Sequence, residues 1–203
     1  MLKDLGRKTL FTDEEFPANE NSLGELHSRV HSWRRPSVSE MFSKGGISAD
    51  DVKQGYIEDC YLISSFAVLG ERLIKEAIGY DSNGNARWTN SKGAYMVRFF
   101  KFSKQFYIII DDQMPVNSQD EWVFGRSEDP VEFWSTHLEK AYAKLYKGYH
   151  NIIEGKCHRV LAEFTGGFPF EVILENYKSN PNGLWAQIMN GKKNGYLLAA
   201  GSP

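Results

Sequence analysis

Cys60 closes the run Gln54-Gly55-Tyr56-Ile57-Glu58-Asp59-Cys60, where a polar loop enters an apolar, helix-spaced stretch. On the first turn of a helix a thiol meets free N–H groups and the positive dipole end, which favour the nucleophilic thiolate. Gln54 lies six residues upstream. Folded back, its amide faces the oxyanion formed when a thiolate attacks a carbonyl. Such a Gln and Cys are two of the groups a thiol hydrolase needs. The plainer reading makes Cys60 a small buried apolar side chain at a helix start.

A thiolate pathway also needs a proton-shuttling base, ordinarily a histidine held by Asn or Asp. The histidines are His27, His31, His137, His150 and His158. Papain-like enzymes carry His and Asn roughly 130–150 residues after the cysteine. That window opens here near residue 190 and holds no histidine. His27 and His31 stand four apart, as a metal pair would, but without further ligands nearby they read as a solvated helix face. His137 is expected to face away from its helix's apolar stripe or to cap its edge, and His150 and His158 to flank a loop, with Cys157 expected in a loop as well. Asn194, within Gly-Lys-Lys-Asn-Gly, reads as a turn residue.

Several elements must position these groups. Ser22 is expected to cap a short helix with Leu23, Leu26 and Val30 on one face, ended by Trp33-Arg34-Arg35-Pro36. Residues 43–58 read as an ordered loop. Leu62, Ile63, Phe66, Leu69, Leu73 and Ile78 recur at helical spacing, so a long buried helix runs from about Cys60 to Ile78. After turn chemistry at 81–85, Tyr95, Val97 and Phe99 alternate along one strand. A turn at Ser103-Lys104 leads to a second strand, Phe106 to Ile110, expected to be buried on both faces. Phe133, Trp134, Leu138, Ala141, Tyr142 and Leu145 form another helical stripe. Two shorter helices are expected near 170–177 and 184–189, split by Asn180-Pro181-Asn182-Gly183, and a strand over Tyr196 to Ala200 without a partner.

Composition excludes several classes. The chain has 203 residues, 24 basic and 26 acidic, without the basic excess of a nucleic-acid binder. At this length folding buries roughly 70% of the unfolded surface, enough for one core. No apolar run approaches the roughly 18 residues that span a bilayer, and Met1-Leu2-Lys3-Asp4 opens no signal peptide. Two cysteines, Cys60 and Cys157, make no disulfide scaffold, so a reducing, cytoplasmic setting is expected.

Taken in order, five blocks resemble the protease core of calpains. Gln54-Gly55 and Asp59-Cys60 are similar to the family's Gln-Gly-x-x-Gly-Asp-Cys-Trp motif. Phe11-Thr12-Asp13-Glu14-Glu15-Phe16-Pro17-Ala18 and Trp33-Arg34-Arg35-Pro36 resemble its opening motifs. Glu132-Phe133-Trp134-Ser135 with Leu138-Glu139-Lys140-Ala141-Tyr142-Ala143-Lys144-Leu145 resembles a further signature, and Phe164-Thr165-Gly166-Gly167 the step after it. The chain departs from the motif at Glu58, in place of glycine, and at Tyr61, in place of tryptophan. A carboxylate at 58 disfavours a nearby thiolate if it turns inward.

The resemblance implies an α+β, papain-like first lobe: a central helix, a small antiparallel hairpin and surrounding helices. It divides the chain into an N-terminal segment (1–40), the first protease lobe (41–168) and the truncated start of a second lobe (169–203). It implies a calcium-dependent cysteine endopeptidase acting on protein or peptide substrates, with Cys60 as nucleophile and Gln54 as oxyanion donor. His and Asn would come from the second lobe, so the chain alone is expected to be inactive. Gly155 matches the second residue of a Gly-Gly edge that pairs with substrate backbone, with Glu154 in the first place; an ordinary loop glycine is the alternative. One calcium per lobe is implied, held here by the carbonyls of Lys44 and Gly46 and the carboxylates of Asp51 and Glu132. Otherwise Asp51 is a turn residue and Glu132 a helix N-terminal acid. The competing classes are a non-proteolytic calpain-like binding or regulatory module and, third, an acyl transferase on the same lobe.

Overall fold

The computed structural model describes residues 10–37, 41–42, 45–79, 92–129 and 132–201. The expected turn at 81–85 lies outside them. The chain opens with α1 (Glu20–Leu23), capped by Asn19, whose side chain accepts from the Asn21 N–H. Ser22 is not the cap: its hydroxyl donates to the Pro17 carbonyl at 2.7 Å. A 3₁₀ turn (Gly24–Arg29) follows, so the expected helix is far shorter. Trp33 and Arg34 do not terminate it; they lie in strand β1 (Ser32–Arg34).

The central helix is α2 (Cys60–Ala77), interrupted at Gly70 (φ 69°, ψ 170°). Its apolar positions converge on α3 (Trp134–Leu145) and α4 (Cys157–Thr165). Phe66 meets Trp134 and Phe164 edge-on, at ring separations of 6.4 and 5.7 Å. Phe99 closes on Phe164 at 4.9 Å. Edge and tilted contacts of this kind add to the large apolar area such rings remove from water.

Within the expected loop at 43–58 lie a 3₁₀ turn (Ala49–Asp51) and β2 (Val52–Lys53). The hairpin is β3 (Ala94–Lys101) and β4 (Lys104–Asp111), antiparallel with Val97 opposite Ile108. Its turn sits one residue earlier than expected, on Phe102 (φ 50°) and Ser103 (φ 58°), the left-handed pair of a two-residue hairpin loop. β4 is buried on one face only, and Tyr107 is exposed, because helices cover a single side. β5 (Met114–Val116) pairs with β1, and β6 (Arg126–Ser127) with β2.

α3 is buried nearly all round, charged residues included. Lys140 makes a fully buried ion pair with Asp111 and donates to the Gln113 carbonyl at 2.7 Å. Burial pushes the Asp111 carboxyl up, but the Lys140 charge outweighs it and holds it below its usual range. Lys144 ties Asp13 to the same wall with two 2.8 Å bonds. His137 does not face away: it is buried, its ring 4.3 Å from Tyr95 and 4.8 Å from Phe133. Desolvation pushes its pKa down to about 3, so the ring is neutral.

Beyond Gly167 come a 3₁₀ turn (Leu174–Tyr177) and α5 (Pro181–Lys193). Asn180-Pro181 does not split a helix from its neighbour so much as start one. Asn180 accepts the Gly183 N–H at 2.9 Å, and proline takes the first helical position. The strand expected over Tyr196 to Ala200 does not form.

Candidate active site

Cys60 is the first residue of α2 and is exposed. Two anchors hold the loop leading to it. The Tyr56 N–H donates to the Val123 carbonyl at 2.9 Å. Gly55 lies so close to Phe124 that an added Cβ would sit 2.2 Å from the backbone carbon, which excludes any larger residue. The Gln54 amide donates to the Ile57 carbonyl at 2.7 Å. That bond orients the amide and uses one of its two N–H groups, leaving the other for an incoming ligand.

The second wall is the segment before α4. The Glu154 N–H donates to the Glu58 carbonyl at 3.0 Å, and the Tyr61 hydroxyl to the Ile152 carbonyl at 3.1 Å. An added Cβ on Gly155 would meet the Tyr61 ring at 2.4 Å. The absent side chain therefore admits Tyr61, in addition to leaving the exposed backbone open. Glu154, where the motif has glycine, holds φ at +62°, in glycine's own region. The Glu58 side chain is exposed to water, away from the fully buried Asp59 next to it.

Cys157 is not in a loop. It opens α4, half-buried, with its Sγ 3.5 Å from the Ser64 hydroxyl, one turn along α2 from Cys60. Both cysteines thus stand at helix starts, and exposure is what separates them. No histidine among the described residues is hydrogen-bonded to Cys60. His150 packs against Gly24 and Gly148 within a 3₁₀ turn (Tyr149–Ile152). His158 lies on α4 and acts on Glu171. Asn194 ends α5, its amide donating to the Asn190 carbonyl at 2.8 Å.

Two acids beneath the loop escaped the sequence reading. Asp59 and Glu139 are both fully buried. Desolvation pushes Asp59 up to about 6, opposed by its hydrogen bond with Glu139, and pushes Glu139 well above its usual range, where the Asp59 charge and hydrogen bond raise it further. The only available signal was Glu139 on the apolar stripe of α3.

Of the implied calcium ligands, Lys44 lies outside the described residues. Gly46 approaches the Glu71 carboxylate: an added Cβ would meet it at 3.2 Å. Asp51 accepts the Ser48 N–H at 2.5 Å in a capping box. Glu132 is buried and accepts from Ser127 Oγ at 2.5 Å and from Trp134 Nε1 at 3.2 Å. The β2–β6 ladder sets Val52 opposite Ser127, which brings Asp51 and Glu132 to one region. Hard oxygen donors of this kind fit calcium. Among the described residues no three His, Cys, Asp or Glu side chains are gathered as a metal site.

The family described as calpain family cysteine protease matches residues 11–203. The chain is similar to a calpain of Schistosoma mansoni, 33% identical over 190 residues, 89% of this chain and 24% of that protein. It is also 34% identical to a calpain-type cysteine protease of Oryza sativa subsp. japonica, over 95% of this chain and 10% of that protein. Human calpain-9 is 32% identical over 96% of this chain and 28% of that protein. The chain belongs to the calpain family of cysteine proteases, and its helices and small antiparallel ladders are the papain-like α+β fold of a calpain first lobe. It spans between 10% and 28% of the length of these relatives.

Proposed function

We propose that this chain supplies the cysteine-bearing lobe of a calcium-dependent calpain-type endopeptidase that cleaves protein substrates. The observation that carries it is an exposed Cys60 at the first position of a buried helix, at the end of a loop held on both sides. Cys60 is the nucleophile: its thiolate attacks the scissile carbonyl. The free N–H of Gln54 and the amides at the start of α2 take the developing oxyanion. Residues 41–168 are the first lobe, and 169–203 lead into the second, which brings the histidine and asparagine. The exposed backbone of Gly155 pairs with extended substrate.

Calcium bound by Asp51, Glu132 and the carbonyls of Gly46 and Lys44 would supply charge that fixes the loop before Gln54. Two carboxylates suit a weak site, on the order of 10⁻⁴ M. A cytoplasmic location fits two free thiols, one of which must stay reduced. Among the described residues no helix is long and apolar enough to cross a membrane.

The test is casein hydrolysis by the 203-residue chain with calcium, together with iodoacetamide labelling read by mass spectrometry. The chain alone gives no turnover, since losing the base of a related triad costs about 10⁶-fold in kcat. Cys60 labels ahead of Cys157. Turnover lost in Cys60→Ser would make one of the five histidines the base and defeat the two-lobe reading.

A further inference from the structure

The Asp59 carboxyl lies directly before the nucleophile and is completely buried, yet no N–H or hydroxyl group of another residue donates to either of its oxygens, and only its own backbone N–H lies close. It does not cap α2 either. Glu139, also completely buried, projects from α3 and takes the Gly125 N–H on both oxygens, at 3.0 and 2.9 Å. The two carboxyls contact each other. With both ionised, Asp59 would have no donor beyond its own backbone N–H, and buried polar atoms without partners are rare and costly. Only a proton held between the acids completes the bonding.

No cation compensates either acid among the described residues. Lys140, next along α3, is committed to Asp111 and to the Gln113 carbonyl. The other groups facing the pair are Tyr61 on α2 and Tyr149 in the 3₁₀ turn before α4, both held neutral by burial. The Tyr149 hydroxyl has no partner of its own. Asp111 adds negative potential from beyond Tyr149.

The location gives the pair its role. Gly125 follows Phe124, on whose backbone Gly55 rests, and Val123 receives the Tyr56 N–H. Glu139 therefore holds the strip that carries the Gln54–Cys60 loop, and Asp59 belongs to the loop itself. Resting on the assignment of Cys60 as nucleophile, we propose that one proton shared by Asp59 and Glu139 positions the Gln54–Cys60 loop. Loss of that proton at raised pH releases the loop. Both acids are positioning residues. The proton sits on the carboxyl pair at low pH and leaves as pH rises, so the nucleophile's setting is lost toward alkali.

The experiment measures Cys60 alkylation by iodoacetamide in the native 203-residue chain, in a Cys157→Ser background, from pH 5 to 9, as a ratio to the Cys60 thiolate fraction read from ultraviolet absorbance of the same folded sample. The division removes the ionisation of the thiol in its folded setting. In the wild type this ratio falls by about tenfold with rising pH, the scale of one lost buried hydrogen bond to a charged group. Asp59→Asn, whose amide donates to Glu139 at every pH, keeps the high ratio and flattens the profile. Asp59→Ala gives a low ratio throughout. A flat wild-type profile, or an equal fall in Asp59→Asn, overturns the proposal. Should Asp59→Ala fail to fold, Glu139→Gln decides: its amide donates to Asp59, so a fall that persists in it overturns the proposal as well. Backbone amide exchange over residues 55–59 reads loop release without the thiol. Faster exchange at high pH with an unreactive Cys60 defeats the nucleophile assignment alone, and unchanged exchange with a reactive Cys60 defeats the pair alone.

Discussion

Two parts of this chain treat their large apolar side chains in opposite ways. Around α2, α3 and α4, Phe66, Trp134, Tyr142 and Phe164 are fully buried against one another, and even Glu139 and Lys140 are sealed in. From Phe168 onward the same kinds of residue face water: Phe168 is 97% exposed, Trp185 62% and Ile173 59%. α5 packs against the short 3₁₀ turn before it rather than against the buried helices. The contrast shows that helical pattern and stability are separate matters. α5 has a good cap and a proline start, yet it lacks the tertiary burial that supplies most helix stability in proteins.

The sharpest way to break the contrast is to unpair the buried charge. Lys140→Ala leaves Asp111 buried beside Asp13 without its cation and should cost about 3–5 kcal/mol in urea unfolding. A loss under 1 kcal/mol would mean that water reaches this wall. Acid probes the same body through His137. Its folded pKa lies below the unfolded value, so the unfolded chain binds more protons and stability is lost as pH falls from about 6.5 toward 3. Asp59 runs the other way: its folded value is raised, so its contribution is lost as pH rises from about 4 through about 6. His137→Leu should remove the acid-side loss and leave the opposite slope in the thermal midpoint between pH 4 and 6. An unchanged acid-side slope would assign the loss to other groups.

Calcium should act on the buried body alone. At ten times its dissociation constant it adds roughly 1.4 kcal/mol to thermal stability, and Asp51→Ala abolishes the increment. An increment that survives this substitution moves the ion elsewhere. The smallest effect is expected at the exposed end: Phe168→Ser and Trp185→Ser should each change unfolding free energy by less than about 0.5 kcal/mol. A larger loss would mean that this segment packs on the body in solution.

The helices around the site were legible because their apolar spacing and their burial agree. Leu62, Phe66 and Leu69 along α2, and Leu138, Ala141 and Tyr142 along α3, are all core residues. Periodicity was silent where backbone geometry decides. Gly24 (φ 62°) cuts the first helix short, and the hairpin turn needs two left-handed residues that nothing in Phe102-Ser103 announces. α4 is hidden from periodicity because His158, Arg159 and Glu163 interrupt the short apolar face of Val160, Leu161 and Phe164, so a loop is expected where Cys157 opens a helix. The burial of Asp59 and Glu139 is likewise invisible in the sequence, which cannot tell a carboxylate that shares a proton from one in water. His137 misled likewise, being apolar in effect once neutral. The Gln54–Cys60 loop was legible by its residue types, whereas its anchors at Val123 and Phe124 come from distant chain.

Glu154 carries one more consequence. A non-glycine residue at φ +62° costs about 1–2 kcal/mol, whereas glycine there would give the unfolded chain roughly 0.4–1 kcal/mol of extra conformational freedom to lose. The strain outweighs the lost freedom by roughly 0.5–1 kcal/mol, so glycine is the better residue for the scaffold here. The chain therefore keeps a charge beside the nucleophile's loop at a small net cost in stability, and the rim of the site is electrostatically adjustable at a point where the fold mildly prefers no side chain at all.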